Sequence, residues 1–314
     1  MADIRFYDLD FNLLRILPPN SQDIGYKAIN TQQDFNGSGS VEILFRDEIL
    51  KELVKQYRDN MIIVWRDFQG LLTSYKFNQK ESHLYGTHLN GLLHRAVIPL
   101  YAEKSDTVSN FIKLALHNVS WLSFEDESQT TPTVTYSTDK PNTADNYLQN
   151  LFKLGGCGYE IKADFENKKY IFKLIESKQN SLMLSETNLN AYNFETTYTG
   201  KELAFGGWYK NETDDKWAYI VLNDTKSGIH RIDTVLSATT LNEAMNELKQ
   251  KKSEYTITLN TKRIECGKDY KIGDIVRIQE DGITQQKLVS SVMKWEENGY
   301  GEKPVLTDYE EVST

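Results

Sequence analysis

The chain has 314 residues, a length that predicts two or three modules rather than one domain. Hydrophobic residues make up 39% and charged residues 26% of the sequence, which predicts a packed core and excludes a disordered or fibrous protein. Lysine and arginine number 36 against 45 aspartate and glutamate residues, so the formal net charge is -9. This balance argues against nucleic-acid binding by electrostatic attraction, which needs concentrated basic charge.

Residues 1–102 have the pattern of short strands separated by turns. The stretches "IRFYD", "LLRIL" and "SVEILF" are β-rich, and the last of them follows a predicted turn at residues 36–39. Gly70 is predicted in a further turn. The stretch "DEILKELVKQ" predicts one short helix whose apolar face consists of Ile49, Leu50, Leu53 and Val54. Strands and turns at this spacing predict a small barrel or sandwich, and we favour an N-terminal β-barrel over residues 1–102.

The pattern changes to helical spacing in residues 103–185. The stretch "SDTVSNFIKLALHNVSW" predicts an amphipathic helix with Ser105 or Asp106 as its cap, and "TADNYLQNLFKLGG" predicts a second helix that its double glycine ends. Alternating apolar residues on both sides of Asn167 then predict a hairpin. The region is therefore predicted to be an inserted α+β module of helix, helix and hairpin.

Strands return over residues 186–314 and predict a second small β-barrel. One helix interrupts them at about 239–252, where Thr240 and Glu243 have the spacing of a capping box. The predicted fold class is mainly β, with two small β-barrel domains and the α+β insert between them. The helix at 239–252 is predicted to be an excursion from the second barrel.

Asp8 and Asp10 lie two residues apart inside the apolar run "IRFYDLDFNLLRIL". Two carboxylates at this spacing could bind a divalent metal or divide acid and base roles, with Asn12 and Asp23 as the nearest further oxygen ligands. The run lacks the glycine and closing glutamate of a calcium loop. We therefore favour a hairpin tip, where aspartate and asparagine bond their own backbone.

The other residues with possible chemistry do not combine into a predicted site. The histidine spacings fit neither a strand nor a helix metal pair, and the helix end before Cys157 disfavours a thiolate there. We predict no catalytic, cofactor-binding or metal-binding residue, no cofactor and no enzymatic activity. The residues considered are His83, His88, His94, His117, His230, Cys157 and Cys266.

The cysteine count and the start of the chain predict where it folds. Two distant cysteines do not make a disulfide framework, and "MADIRFYD" lacks the basic and apolar regions of a signal peptide. No apolar run approaches the roughly 20 residues that span a bilayer. We expect folding in a reducing cytoplasm without membrane insertion.

The aromatic stretch "GGWYKNETDDKWAY" leaves an alternative function open. Its rings could stack on sugars, as in a β-rich carbohydrate-binding or glycan-cleaving protein. Aromatic residues are also common in strands for packing reasons alone, and we favour that interpretation.

The order of these segments resembles the baseplate hub, or tail-associated, proteins of bacteriophage tails and related contractile particles. An opening hairpin leads into β structure, a helix–helix–hairpin insert follows, and strands, a helix and a closing strand pair complete the chain. The closing stretch "GKDYKIGDIVRIQ" carries the most similar pattern. Its matching positions are Gly267, Tyr270, Gly273, Asp274, Val276 and Ile278.

The resemblance implies a structural protein of the virion tail tip, assembled in the bacterial host cytoplasm. Hub proteins of this family are homotrimers whose paired barrels face the hexameric tail tube and whose α+β modules shape the lower part of the cup. Such a hub joins tube and distal tail proteins to a tip or spike protein and lines the channel through which DNA passes as cargo. The family has no catalytic residues in this portion, so we expect any wall-degrading activity in another protein.

Overall fold

The computed structural model describes residues 2–19, 24–78, 81–99, 101–117, 119–125, 131–138, 141–200, 203–222, 229, 231–251, 253–280 and 282–309. The chain is mainly β, as the sequence predicted. Its strands are β1 (Ile4–Asp8), β2 (Leu13–Leu17), β3 (Gly25–Asp34), β4 (Ser40–Arg46), β5 (Met61–Trp65), β6 (Phe68–Phe77), β7 (Ser82–His88), β8 (Val97–Ile98), β9 (Tyr101–Thr107), β10 (Leu122–Glu125), β11 (Thr133–Thr138), β12 (Asn142–Thr143), β13 (Cys157–Asp164), β14 (Lys169–Glu176), β15 (Lys178–Ser185), β16 (Ala191–Thr199), β17 (Gly206–Asn211), β18 (Lys216–Val221), β19 (Asp233–Val235), β20 (Glu254–Thr261), β21 (Asp274–Glu280), β22 (Ile283–Glu296) and β23 (Tyr300–Asp308).

The helices are α1 (Glu48–Tyr57), α2 (Val108–Leu116), α3 (Ala144–Gly155), α4 (Leu241–Gln250) and a 3₁₀ helix (Leu89–Arg95). None of the helices in the described ranges is both long and apolar enough to cross a membrane. The chain divides into two compact units, the first made of Met1–Phe194 and Thr258–Thr314 and the second of Glu195–Ile257. The predicted divisions at residues 102/103 and 185/186 stay predictions.

The largest sheet follows the strand order β16-β20-β23-β22-β3-β4-β7-β6-β5-β1-β2, and β21 joins it by pairing with β22 and β15. Among the described strands this path has two ends and does not close, so the two predicted small barrels are not confirmed. Strands from opposite ends of the chain share the sheet, because β22 pairs with β3 and places Trp295 opposite Asn30. Alternation along one strand shows which face is buried, and it does not show which strand lies beside it.

Two apolar cores formed by described residues connect the N-terminal strands and the α+β segments of the first unit, and buried residues of β21 to β23 lie outside both. One lies under β1, β3 to β7 and α1, where Leu50 and Val54 are buried. Ile49 was predicted on this face and is 57% exposed. The other core is formed by α2, α3, the 3₁₀ helix and the β13–β14 pair, and it includes Ile62 and Leu71 of β5 and β6. Fully burying an aliphatic side chain is worth about 1.5 to 3 kcal/mol, so these shared residues hold the α+β segments against the N-terminal strands.

The helix ends follow local chemistry. Thr107 caps α2, its hydroxyl accepting from the Asn110 backbone N–H at 3.3 Å, so the cap lies one residue after the predicted Asp106. Gly156 ends α3 in the left-handed region at φ 61°, as the double glycine predicted. Gly70 lies inside β6 rather than in the predicted turn. Glycine suits this position because an added Cβ would sit 2.8 Å from the Thr87 carbonyl oxygen.

The second unit has its own small core. A three-stranded sheet in the order β18-β17-β19 packs one face on α4, where Tyr209, Leu236 and Leu248 are buried. Thr240 caps α4 by accepting from the Glu243 backbone N–H at 3.3 Å. The Glu243 carboxylate accepts in return from the Thr239 N–H, one residue before the partner that a capping box predicts.

Candidate functional site

Asp8 and Asp10 form the tip of the β1–β2 hairpin. The Asp8 carboxylate accepts hydrogen bonds from the backbone N–H groups of Asp10 and Asn12 at 3.0 and 2.8 Å, and from the Asn12 side-chain amide at 2.9 Å. Asp10 points to solvent, and Asp23 lies outside the described residues. In the part of the chain that the structure describes, no group of three or more His, Cys, Asp or Glu residues is placed to hold a metal ion. The carboxylate therefore shapes the turn, which is the interpretation that the sequence favoured.

The hairpin tip packs on the loop that joins β13 and β14. The ring of Tyr7 lies 4.3 Å from that of Phe165, and the ring of Phe11 lies 4.9 Å from that of Tyr170. The Tyr170 hydroxyl donates to the Leu9 carbonyl oxygen at 3.0 Å, and burial raises the Tyr170 pKa to about 12. The first hairpin of the chain is thus anchored to the α+β segment of the same chain.

The outer edge of β13 is paired by a side chain. Asn90, fully buried in the 3₁₀ helix, accepts from the Ile161 backbone N–H at 2.8 Å and donates to the Tyr159 carbonyl oxygen at 3.2 Å. Its amide also donates to the Gly37 carbonyl oxygen at 2.8 Å. One carboxamide thereby replaces a neighbouring strand, since its C=O and NH₂ groups offer the same acceptor and donor as a backbone peptide.

Two further contacts continue this pairing along β13. Gln69 of β6 accepts from the Ala163 N–H at 2.7 Å and donates to the Ala163 carbonyl oxygen at 3.3 Å. At the other end, the Tyr159 N–H donates to the Phe35 carbonyl oxygen at 3.0 Å. Gly158 permits this approach, because a Cβ there would lie 2.1 Å from the same oxygen. The edge of β13 is therefore closed by the N-terminal strands, which removes a site for unwanted strand pairing.

The histidines contribute to packing and pairing at separate places. His88 is buried, caps the 3₁₀ helix by accepting from the Asn90 N–H at 3.3 Å, and has a pKa lowered by burial. The others lie apart, with His83 3.2 Å from Glu42, His94 3.1 Å from Asp145 and His117 at the end of α2, while His230 lies outside the described residues.

The thiols of both cysteines have raised pKa values, and Cys157 is buried whereas Cys266 is half-buried. Burial raises the pKa of Cys157 to about 12, with a smaller contribution from Glu176, and its Sγ donates to the Gly155 carbonyl oxygen at 3.3 Å. Burial also raises the pKa of Cys266 to about 12. Since the thiolate is the nucleophile, neither residue is activated at neutral pH.

The closing motif organises a polar cluster around Glu302. Its carboxylate accepts from the Tyr270 hydroxyl at 3.1 Å, the Tyr300 hydroxyl at 2.9 Å and the Cys266 backbone N–H at 2.6 Å. Burial, with Glu302 beside it, raises the pKa of Tyr270. The cluster ties the 262–270 segment to β23, and no sequence pattern indicated Glu302 as its centre.

The remaining motif residues set the turn into β21. Gly273 adopts φ 91°, a conformation that favours glycine. Asp274 accepts from the Lys271 N–H at 2.9 Å and from the Asn180 side-chain amide at 2.7 Å, and Val276 and Ile278 are buried in β21. Five of the six positions of the pattern, from Tyr270 to Ile278, thus have a structural role in this chain.

One face of the second unit's sheet is exposed and aromatic. The buried residues of β17, β18 and β19 point to α4, so the alternate residues form the opposite face. We call this the aromatic face, and its residues are Trp208, Lys210, Trp217, Tyr219, Val221, Asp233 and Val235. Trp208 is 46% and Trp217 54% exposed.

A second exposed apolar feature lies at one end of the largest sheet. Among the described strands β2 pairs with β1 alone, so its other edge is open. Leu13 is 52% and Ile16 43% exposed on this strand. Open edges with apolar side chains are places where another chain can add a strand.

Solved structures with the same architecture come from bacteriophage tails. A tail protein from Neisseria meningitidis MC58 superposes with a TM-score of 0.60 at 12% identity, over 98% of this chain and 96% of that one. The prophage tail protein gp18 from Listeria monocytogenes EGD-e does so with a TM-score of 0.57 at 15% identity, over 98% and 95%. The chain has the fold of phage tail proteins.

A third protein extends this likeness to another source. The 43 kDa tail protein of prophage MuSo2 from Shewanella oneidensis matches with a TM-score of 0.57 at 13% identity, over 97% of both chains. No model of a protein family matches the chain, and no curated protein matches it. The tail-protein fold is therefore shared through the order and pairing of strands, and few residues are identical.

Proposed function

We propose that the chain is a structural hub protein at the end of the tail tube of a phage or phage-like particle. The observation that carries this proposal is the tail-protein fold, matched over 98% of this chain and 96% of the Neisseria protein. Because the match runs along nearly the whole of both chains, the two proteins share their complete architecture. A single β module common to many proteins would cover only part of each chain. The proposed role is non-enzymatic and needs no cofactor.

The hub assembles as a homotrimer. Support for a contact between copies comes from the open edge of β2, where Leu13 and Ile16 are exposed. A strand or loop of a neighbouring copy would cover these side chains and satisfy the open backbone groups. A stable contact of this kind buries about 800 Å² on each partner, so more than one strand takes part.

The trimer joins tail tube and distal tail proteins on one side to a tip or spike protein on the other. It lines the channel through which DNA passes as cargo, in the tail tip of a virion assembled in the host cytoplasm. The net charge of -9 supports a wall along which DNA slides, because an acidic protein repels the phosphate backbone.

The mass of the purified chain in solution tests this proposal. Light scattering during gel filtration should give three times the mass of one chain, and the trimer should co-purify with the tube protein encoded beside it. Ile16→Lys should weaken the trimer, because a charge at the β2 edge cannot be buried unpaired. Ile283→Lys is the matched control, since Ile283 is 61% exposed on β22, a strand that pairs with neither β1 nor β2.

A chain that remains monomeric at high concentration and ignores tube proteins would contradict the hub proposal. A trimer that forms equally well with Ile16→Lys would keep the hub and exclude the β2 edge as its contact.

A further inference from the structure

The aromatic face of the second unit combines exposed rings with neutralised charges. Trp208 and Tyr219 lie with ring centroids 4.9 Å apart at an angle of 45°, and Trp217 is exposed beside them on β18. Trp217 lies opposite Lys210, two residues along from the Trp208–Tyr219 pair. Diagonal neighbours in a sheet are about 7 to 8 Å apart, so the two indoles offer adjoining flat surfaces rather than one stack.

Polar groups with spare hydrogen-bonding capacity border the rings. The Asp233 carboxylate accepts from the Tyr219 hydroxyl at 2.8 Å and from the Arg231 Nε at 3.0 Å, and the Arg231 guanidinium also contacts the Tyr219 hydroxyl. A guanidinium has five N–H donors and a carboxylate about four acceptor positions, so both keep groups for a ligand. The aromatic rings therefore offer surfaces for stacking, and the Arg231 and Asp233 side chains beside them offer hydrogen-bond donors and acceptors.

The two charged residues of the face, Lys210 and Asp233, each have an oppositely charged partner beside the face. Lys210 lies 2.5 Å from Asp215, and Arg231 pairs with Asp233. Phosphate recognition needs unpaired basic charge, so this arrangement does not favour a nucleic acid or an acidic peptide. It complements an uncharged ligand that has both apolar ring faces and hydroxyl groups.

The area of the aromatic face indicates whether it suits a small ligand or a protein partner. The two longer strands, β17 and β18, have six residues each and β19 has three. With strands about 4.8 Å apart and a rise of about 3.3 Å per residue, the face measures roughly 10 Å by 20 Å, or on the order of 200 Å² at most. A stable protein contact needs about 800 Å² on each side, which the face alone does not supply. A few linked sugar rings match its dimensions.

From these observations we propose that the aromatic face binds a neutral oligosaccharide by stacking on Trp208 and Trp217, with Arg231 and Asp233 bonding its hydroxyl groups. This binding goes beyond the proposed hub role and is independent of it.

Fluorescence titration of the full chain tests the proposal. The probes are short oligomers of glucose, of galactose and of N-acetylglucosamine, and a glycan array widens the panel. At least one neutral oligosaccharide should change the tryptophan emission in a saturable way. Trp208→Ala and Trp217→Ala should each weaken binding about tenfold, as expected for losing one aromatic contact. Trp217→Phe keeps a ring and should recover part of the affinity.

Trp121→Ala is the matched control, because Trp121 is 36% exposed in the first unit and should leave binding unchanged. Circular dichroism and thermal unfolding of each variant show that the fold is retained. Lack of binding by every sugar at millimolar concentration overturns the proposal, and so does affinity that survives both alanine variants. A change in subunit mass in Trp208→Ala, without sugar binding by the parent chain, overturns it in favour of a contact between copies.

Discussion

Replacing Asn90 by alanine removes the hydrogen bonds that close the edge of β13. The change deletes one bond from the Ile161 N–H at 2.8 Å and two bonds to the carbonyl oxygens of Tyr159 and Gly37. A buried group left without its partner costs about 1 to 3 kcal/mol, and the half-buried Gly37 carbonyl costs less because water can reach it. We therefore expect Asn90→Ala to lower the free energy of unfolding by about 3 to 5 kcal/mol, a large part of the total of a typical domain.

Chemical denaturation followed by circular dichroism measures the loss, and hydrogen exchange with mass spectrometry locates it. The amide of Ile161 should exchange faster in Asn90→Ala, together with its neighbours in β13. Asn146→Ala is the matched control, because the Asn146 amide is exposed and makes a 3.4 Å bond to Asn142. Its effect should stay below about 0.5 kcal/mol.

Two results would refute this reasoning. A loss below about 1 kcal/mol would mean that the Asn90 bonds are replaced by water or by repacking. Unchanged exchange at Ile161 would mean that the edge of β13 is closed by other contacts.

Three further predictions rest on the polar and titratable groups of the first unit. Glu302→Ala should lower the free energy of unfolding by about 2 to 3 kcal/mol, because it leaves the buried Tyr270 hydroxyl without its hydrogen-bond acceptor. Chemical denaturation measures this loss. A loss no larger than the one caused by replacing an exposed residue would show that the Glu302 hydrogen bonds do not stabilise the fold. Burial lowers the His88 pKa, so the unfolded chain binds the extra proton and stability falls as pH drops below about 6.5, by up to about 1.4 kcal/mol per pH unit. His88→Asn keeps an acceptor for the cap and should flatten this acid slope in unfolding measured from pH 7 to 5; an unchanged slope would exclude His88 as its source. Cys157, buried and with a pKa raised to about 12, should react with a thiol reagent at pH 8 only after denaturant is added, and rapid labelling of Cys157 in the native chain would contradict its burial.

The local elements could be predicted because their signals lie within a few residues. In α3, Tyr147, Leu148 and Leu151 recur at helical spacing, and all three are buried where the pattern placed them. The hairpin tip at Asp8 could also be predicted, since the hydrogen-bond partners of its carboxylate, Asp10 and Asn12, lie within four residues. The predicted end of an element could be off by one residue, as at the N-terminus of α2, where Thr107 is the cap and Asp106 was predicted.

The long-range contacts could not be predicted in this way. Alternation marked β3 and β22 as strands, but their pairing joins residues more than 250 positions apart and has no local signature. Glu302 is a further case, because the Tyr270 hydroxyl and the Cys266 N–H reach its carboxylate only when β23 folds against the preceding loop. The exposure of both Trp208 and Trp217 likewise depends on which sheet face α4 covers.

The sequence by itself determined that the chain is mainly β, where its helices lie, and that Asp8 shapes a turn. The tertiary structure decided which strands are neighbours, which edges are open and which side chains close the others. Asn90 shows the reason, because its amide pairs with a backbone group 71 residues away. Hydrophobic periodicity is a property of one segment, whereas a buried polar contact depends on two segments that only the folded chain brings together.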